Sequence, residues 1–249
     1  LLLTLLDLYA RDGNYTAMLS LTEGWQWQSP LLREERHRFA AIAHYLAARH
    51  QFNPQRKEQS LQHAVGYAAD FLPAILAFAA ALLDDGQLRR ARKYLLATWK
   101  TTPLTPLIPL ILKSVRDANP KVSTRLIGPF LKTEHRVPHA LLEAQFARQQ
   151  GNLEAAKDAL EQALSYEESK AACALMAEIE HSLHGAQAAH PWLTRAMEAP
   201  SDPSWICQDC GASHAEWHTH CTQCTHFDRL NYERPERRIT SVELSPSAL

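Results

Sequence analysis

The chain has 249 residues, 46% hydrophobic and 21% charged, a globular composition that excludes a disordered polymer. Its net charge is -1, so no global basic field exists to hold nucleic acid, although a local patch is compatible with that balance. The length suits one large domain, or a repeat array with a small module attached.

The first apolar run, "LLLTLLDLYARDG", is far shorter than the roughly 20 residues of a membrane span. It also lacks the charged flank and cleavage site of a signal peptide. Aspartate and arginine interrupt it at helical intervals, so it reads as an amphipathic helix. It starts in mid-stride without a methionine, and the chain is expected to be the soluble portion of a longer protein.

Glycines then punctuate the next two hundred residues. "RDGNYTAML", "DDGQLRRARKYL", "QQGNLEAAKDAL" and "LHGAQAAHPWL" each place a glycine between two apolar-periodic stretches, at Gly13, Gly86, Gly151 and Gly185. Gly151 and Gly185 are 34 residues apart, and Gly86 and Gly151 are 65 apart, close to two such periods. The missing turns are expected near Gln51 and Asn119, where "RHQFNPQR" and "DANPK" would break a helix. A helix-turn-helix period near 34 is the tetratricopeptide signature.

Small residues fit that reading, because they let helix axes approach closely. Ala144 and Ala147 share one face of a first helix, and Ala156, Leu160 and Ala163 one face of its partner. Ala79, Ala91 and Leu95 repeat the scheme. The spacing predicts six helix pairs, over 1–21, 31–69, 73–100, 104–132, 138–166 and 168–199. The second is long and irregular and the fourth proline-rich. The predicted fold class is all-α: a tetratricopeptide-like right-handed α-solenoid of about six helix pairs over 1–200, followed by a small rubredoxin-like zinc ribbon over 201–234 and a flexible tail over 235–249. A solenoid of this kind offers a groove for protein partners.

"APSDPSW" ends the helical pattern, and Pro200 and Pro203 form a rigid linker. Two C-x2-C pairs follow, Cys207 with Cys210 and Cys221 with Cys224, with ten residues between the pairs. Such a pair turns both sulfurs toward one ion, and two pairs complete a tetrahedron. Zn2+ is the expected metal, with iron possible in the same cage. Four protein ligands leave no open position for a reacting water. Gly211 follows the first pair, as the turn requires, but Thr225 stands at the matching place in the second. His214, His218, His220 and His226 read as surface residues or contacts to the sulfurs. Trp205 and Trp217 are expected to cover the module and pack it on the last helix pair.

The segments "WLTRA", "DPSWICQDCG" and "CTQCTHFDRL", with "LLLTLLDLYARDGNY" and "ARKYLLATWKTTPLTPL" upstream, resemble the alphaproteobacterial HemY family of haem-operon-associated proteins. The resemblance covers essentially the whole chain. It implies two membrane helices ahead of residue 1 and an array on the cytoplasmic face of the inner membrane. It also implies an association with haem biosynthesis, and it carries over no catalytic residues. The architecture is also similar to LapB, a lipopolysaccharide-assembly scaffold with a tetratricopeptide array and a four-cysteine module.

These features favour a non-catalytic protein-interaction scaffold, possible partners being haem-biosynthesis enzymes. A haem, porphyrin or iron handler is the alternative, with axial ligands sought at His44 beside Tyr45, His63 near Tyr67, and His135 with His139. Iron in the ribbon would make a redox carrier. The tail "RLNYERPERR" is diluted by Glu233 and Glu236, so nucleic acid is not an expected partner. No phosphate loop, nucleophile elbow or H-E-x-x-H motif points to an enzyme. Cys173, among alanines on a helix, reads as a small buried hydrophobe.

Overall fold

A computed structural model describes residues 2–23, 30–132 and 137–235. The chain divides into two compact units, Leu1–Pro200 and Ser201–Leu249.

The first unit is all helix. Among the described residues it comprises α1 (Leu2–Arg11), α2 (Tyr15–Glu23), α3 (Pro30–Arg49), α4 (Pro54–Tyr67), α5 (Leu72–Asp84), α6 (Leu88–Thr101), α7 (Ile108–Lys113), α8 (Pro120–Leu131), α9 (Val137–Gln149), α10 (Leu153–Tyr166), α11 (Lys170–His184) and α12 (Ala186–Glu198). These are the six expected pairs. The irregular second pair contains the longest helix, α3, and the proline-rich fourth begins with a 3-10 turn over Thr105–Leu107 before the six-residue α7.

The turns inside the pairs explain why the glycines stand where they do. Gly13, Gly86 and Gly151 all adopt φ near +70°, where a Cβ would be strained. The next amide in each case reaches back to a carbonyl five residues earlier: Asn14 to Tyr9, Gln87 to Leu82, and Asn152 to Ala147. That bond closes the first helix and turns the chain into the second. Asparagine then caps the second helix of four pairs. Asn14, Asn53, Asn119 and Asn152 accept the amides of Ala17, Arg56, Val122 and Ala155. The turns expected near Gln51 and Asn119 are therefore present, built on an asparagine instead of a glycine.

Most helices pack on their sequence neighbours, α8 lying against α6 and α9, and first helices also pack on the first helices of the next pair, α3 on α5, α5 on α7 and α7 on α9. This is the stacking of a tetratricopeptide-like array. Ala79, Ala91, Leu95, Ala144, Ala156, Leu160 and Ala163 are all buried, as their spacing requires, and Ala147 is half-buried against the same core. One cluster of buried apolar residues runs from Ile75 in α5 to Ala196 in α12. Cys173 is fully buried within it.

The second unit is a three-stranded antiparallel sheet in the order β2-β1-β3: β1 (Ser204–Cys207), β2 (Ser213–His214) and β3 (Leu230–Glu233). Trp205 pairs with His214 on one side and Tyr232 on the other, while Cys207 pairs with Leu230. The expected tail lies mostly outside the described residues, which end at residue 235.

Candidate metal centre

The two C-x2-C turns fold alike. In the first, the Gly211 amide donates to the Cys207 carbonyl at 2.8 Å and the Cys207 amide to the Ala212 carbonyl at 2.9 Å. In the second, the Thr225 amide donates to the Cys221 carbonyl at 2.9 Å and the Cys221 amide to the His226 carbonyl at 3.0 Å. Gly211 has φ 72° and Thr225 has φ 61°. The missing glycine therefore changes no hydrogen bond. It leaves a β-branched residue in the left-handed region, where such residues are rare and strained. The turn is kept at the expense of backbone strain.

These turns bring all four sulfurs within 4.8 Å of one another. The Cys207 and Cys224 Sγ atoms are 3.6 Å apart, as are those of Cys210 and Cys221. That is far beyond a disulfide bond of about 2.05 Å. Cys207 and Cys221, the first members of the pairs, are buried, while Cys210 is exposed and Cys224 half-buried.

The cluster distributes negative charge unevenly. Burial raises the Cys221 thiol, but the amides of Cys224 and Gln223, then Cys210 and His214, together draw it down to about 6. The His226 amide favours a Cys224 thiolate, yet burial and the three neighbouring sulfurs push that thiol up to about 12. Cys210 is also raised, its amide partner Ala212 being outweighed by burial and by Cys221 and Cys207. The Cys221 thiolate forms readily, while Cys210 and Cys224 resist ionisation. A cation at the centre is what would let all four ionise.

A polar tie joins the turns from outside. Asp209, between the first two cysteines, receives Arg229 through both oxygens at 2.9 Å and pairs with His226 Nδ1 at 2.8 Å. Arg229 first and His226 second hold its carboxyl below the usual range. Asp209, Cys224 and His226 also lie close enough to suggest a ligand group, but Asp209 and His226 already engage each other. Sequence reasoning left Asp209 unremarked and assigned Arg229 to a solvated tail. The available signal was an acid inside the first C-x2-C and a histidine just beyond the second. His214 meets the expectation of a sulfur contact, its Nε2 lying 3.4 Å from Cys221 Sγ. Trp205 and Trp217 are buried, and Trp205 meets Tyr232 edge-on at 5.3 Å.

The histidines weighed for haem lie in the helical unit. His44 is 8% exposed, its ring stacked on Tyr67 at 5.6 Å and edge-on to His63 at 5.1 Å. Burial first, and His63 second, lower it to about 4, so it is neutral near pH 7. Its Nε2 has no hydrogen-bond partner, and Glu23 Oε1 stands 4.0 Å away. His139 is buried edge-on to Trp99 at 5.0 Å. His135 lies outside the described residues, as do Glu236, Arg237 and Arg238 of the tail.

No family model matches the chain, and no curated protein does. Similar solved structures include a thermophilic tetratricopeptide protein, TTC0263 of Thermus thermophilus, at 14% identity and TM-score 0.43, covering 67% of this chain and 91% of that one. MamA MSR-1 C2 is similar at 16% identity and TM-score 0.37, covering 67% and 96%. The Cut9–Hcn1 hetero-tetramer of APC/C is similar at 12% identity and TM-score 0.42, covering 78% of this chain and 38% of that one. Among the described residues no helix is long and apolar enough to cross a membrane.

Proposed function

We propose that the chain is a non-catalytic protein-interaction scaffold, with a helical array over 1–200, a four-cysteine ribbon over 201–234 and a flexible tail over 235–249. The array's repeated turns and stacked first helices carry this reading. Its apolar stripes are consumed in holding pair to pair, which leaves the outer residues free to meet other molecules.

In the ribbon, Cys207, Cys210, Cys221 and Cys224 would hold Zn2+. A tetrahedral Zn2+ with bonds of about 2.3 Å sets its sulfurs about 3.8 Å apart. The two pairs at 3.6 Å suit that distance. With four protein ligands the ion would be structural and supply folding energy to a unit too small to hold itself. The same thiolates suit iron, which would give a redox centre. Metal analysis of the purified chain is expected to return about one zinc per chain. Stoichiometric iron with visible absorption would replace the structural reading by the redox one.

The HemY resemblance supports a finer reading, in which the array faces the cytoplasm at the inner membrane, tethered by helices ahead of residue 1, and gathers haem-synthesis enzymes. Crosslinking from native membranes tests it. Reproducible capture of lipopolysaccharide-assembly enzymes instead would favour the LapB-like role. A haem-handling role has one observation behind it: the neutral, hydrogen-bond-free Nε2 of His44 beside His63. Haem titration tests that role, and an unchanged Soret band at micromolar protein counts against it.

A further inference from the structure

We propose that α6 and α8 together form a docking surface for an acidic polypeptide segment, an inference that rests on the scaffold reading and names the chemistry of one partner. The first observation is charge segregation within a nearly neutral chain. Between Leu88 and Lys132 there are ten lysines and arginines and one acid, Asp117. Between residues 137 and 235 there are six lysines and arginines and fourteen acids.

The second observation is register. α6 carries Arg89, Lys93 and Lys100 at its second, sixth and thirteenth positions. Counted from its own start, α8 carries Lys121, Arg125 and Lys132 at the same three places, Lys132 being its C-cap. At about 100° per residue these positions fall within about 40° of one another, so each helix bears a single cationic row about 16 Å long. α6 packs against α8, and the Trp99 indole donates to the Phe130 carbonyl at 3.0 Å. The two rows therefore run side by side, about 8–10 Å apart at the helix axes.

All six side chains are exposed, and none forms an ion pair among the described residues. Other cations of the same stretch are engaged. Arg90 pairs with Glu58, Lys113 with Asp84 and Arg116 with Asp117, while Arg92 donates to the Ser114 carbonyl.

What surrounds the rows narrows the ligand. The exposed residues of α6 and α8 include no aromatic side chain on which a base could stack. Leu88 is their one exposed large apolar residue, too little to anchor a membrane-bound face. α10, the second helix of the next pair, reverses the sign at the second and sixth positions with Glu154 and Asp158. A duplex or an anionic membrane laid across successive helices would meet those acids. A single acidic helix or extended segment laid along α6 and α8 would not. With an acidic second helix next in chain order, two cationic rows favour a narrow acidic partner over a broad one.

The test is fluorescence anisotropy with the full chain and a labelled 18-residue alanine-glutamate helical peptide. Replacing Arg89, Lys93, Lys121 and Arg125 by glutamine together is expected to weaken binding about tenfold or more. Affinity should also fall steeply with salt. The control variant Arg56→Gln with Lys170→Gln should bind as the parent does. Circular dichroism checks that the fourfold variant keeps its helix. Equal affinity in the fourfold variant overturns the proposal. So does tighter binding of a 20-base-pair duplex or phosphatidylserine vesicles, or sedimentation showing a dimer that the fourfold variant dissolves. In the crosslinking experiment, partners recovered equally by parent and fourfold variant would overturn this surface and leave the scaffold reading standing.

Discussion

The helical unit holds itself with a buried cluster that spans four helix pairs, from Ile75 to Ala196. In the ribbon, among the described residues, only Trp205, Trp217 and Leu230 are buried apolar side chains besides Cys207 and Cys221. Three such side chains cannot offset the ordering of some thirty residues. The array can lose one contact and keep its neighbours, because each interior pair is supported on both sides. The ribbon has one point of closure. Its stability should therefore be concentrated at the sulfurs, while that of the array is spread along its length.

The largest expected effect breaks this contrast if it fails. Strong chelation, or Cys207→Ser with Cys221→Ser, should remove a metal contribution on the order of 10 kcal/mol. Amide signals of residues 204–233 should collapse, while far-UV dichroism keeps its helical intensity. Loss of helix as well would mean that the units do not stand separately.

The reciprocal change lies in the array. Trp99 is fully buried and donates to Phe130 O. Trp99→Ala should cost about 3–5 kcal/mol and lower the helical melting transition, with metal content unchanged.

Acid offers a third test. The folded pKa of His44, about 4, lies below the ordinary 6.5, so the unfolded chain binds that proton first as pH falls. Its contribution is complete above about pH 6.5 and is lost as pH falls toward 4, by up to about 3 kcal/mol. In His44→Phe that part of the acid sensitivity should vanish from urea melts at pH 5 and 7.

The smallest effect sharpens the picture of the ribbon. Thr225→Gly relieves a left-handed threonine and should tighten metal binding by about 1 kcal/mol, read by chelator competition. A weaker site would show that the side chain contributes more than its backbone strain costs.

The sequence made some of this legible and hid the rest, for physical reasons. Gly13, Gly86 and Gly151 announced their turns because few residues tolerate that φ. The alanine and leucine stripes announced the core because helical periodicity reports which face is buried. The cysteine spacing fixed a closed cluster because a tight turn leaves its sulfurs few places to go. The asparagine caps were less visible, since Asn53 and Asn119 do the work of a glycine turn with a different residue. The Asp209 tie left only a faint signal, an acid in one knuckle and a histidine beyond the other, because it joins side chains 17 and 20 residues away. The paired cationic rows were present in the composition of α6 and α8. They became a surface only when α6 was found beside α8, since a net charge of -1 averages them away.

α6 also reaches forward into the pair that follows it. Arg92 donates to the carbonyl of Ser114, just past the end of α7, and Trp99 to that of Phe130 in α8. Both donors leave the ribosome before their acceptors do, so the third pair must wait for the fourth before its bonds are complete. A shortened version of the chain that stops after Thr101 would strand an indole and a guanidinium where apolar surface also lies bare. Cuts meant to yield a stable fragment belong at junctions that no such side chain crosses.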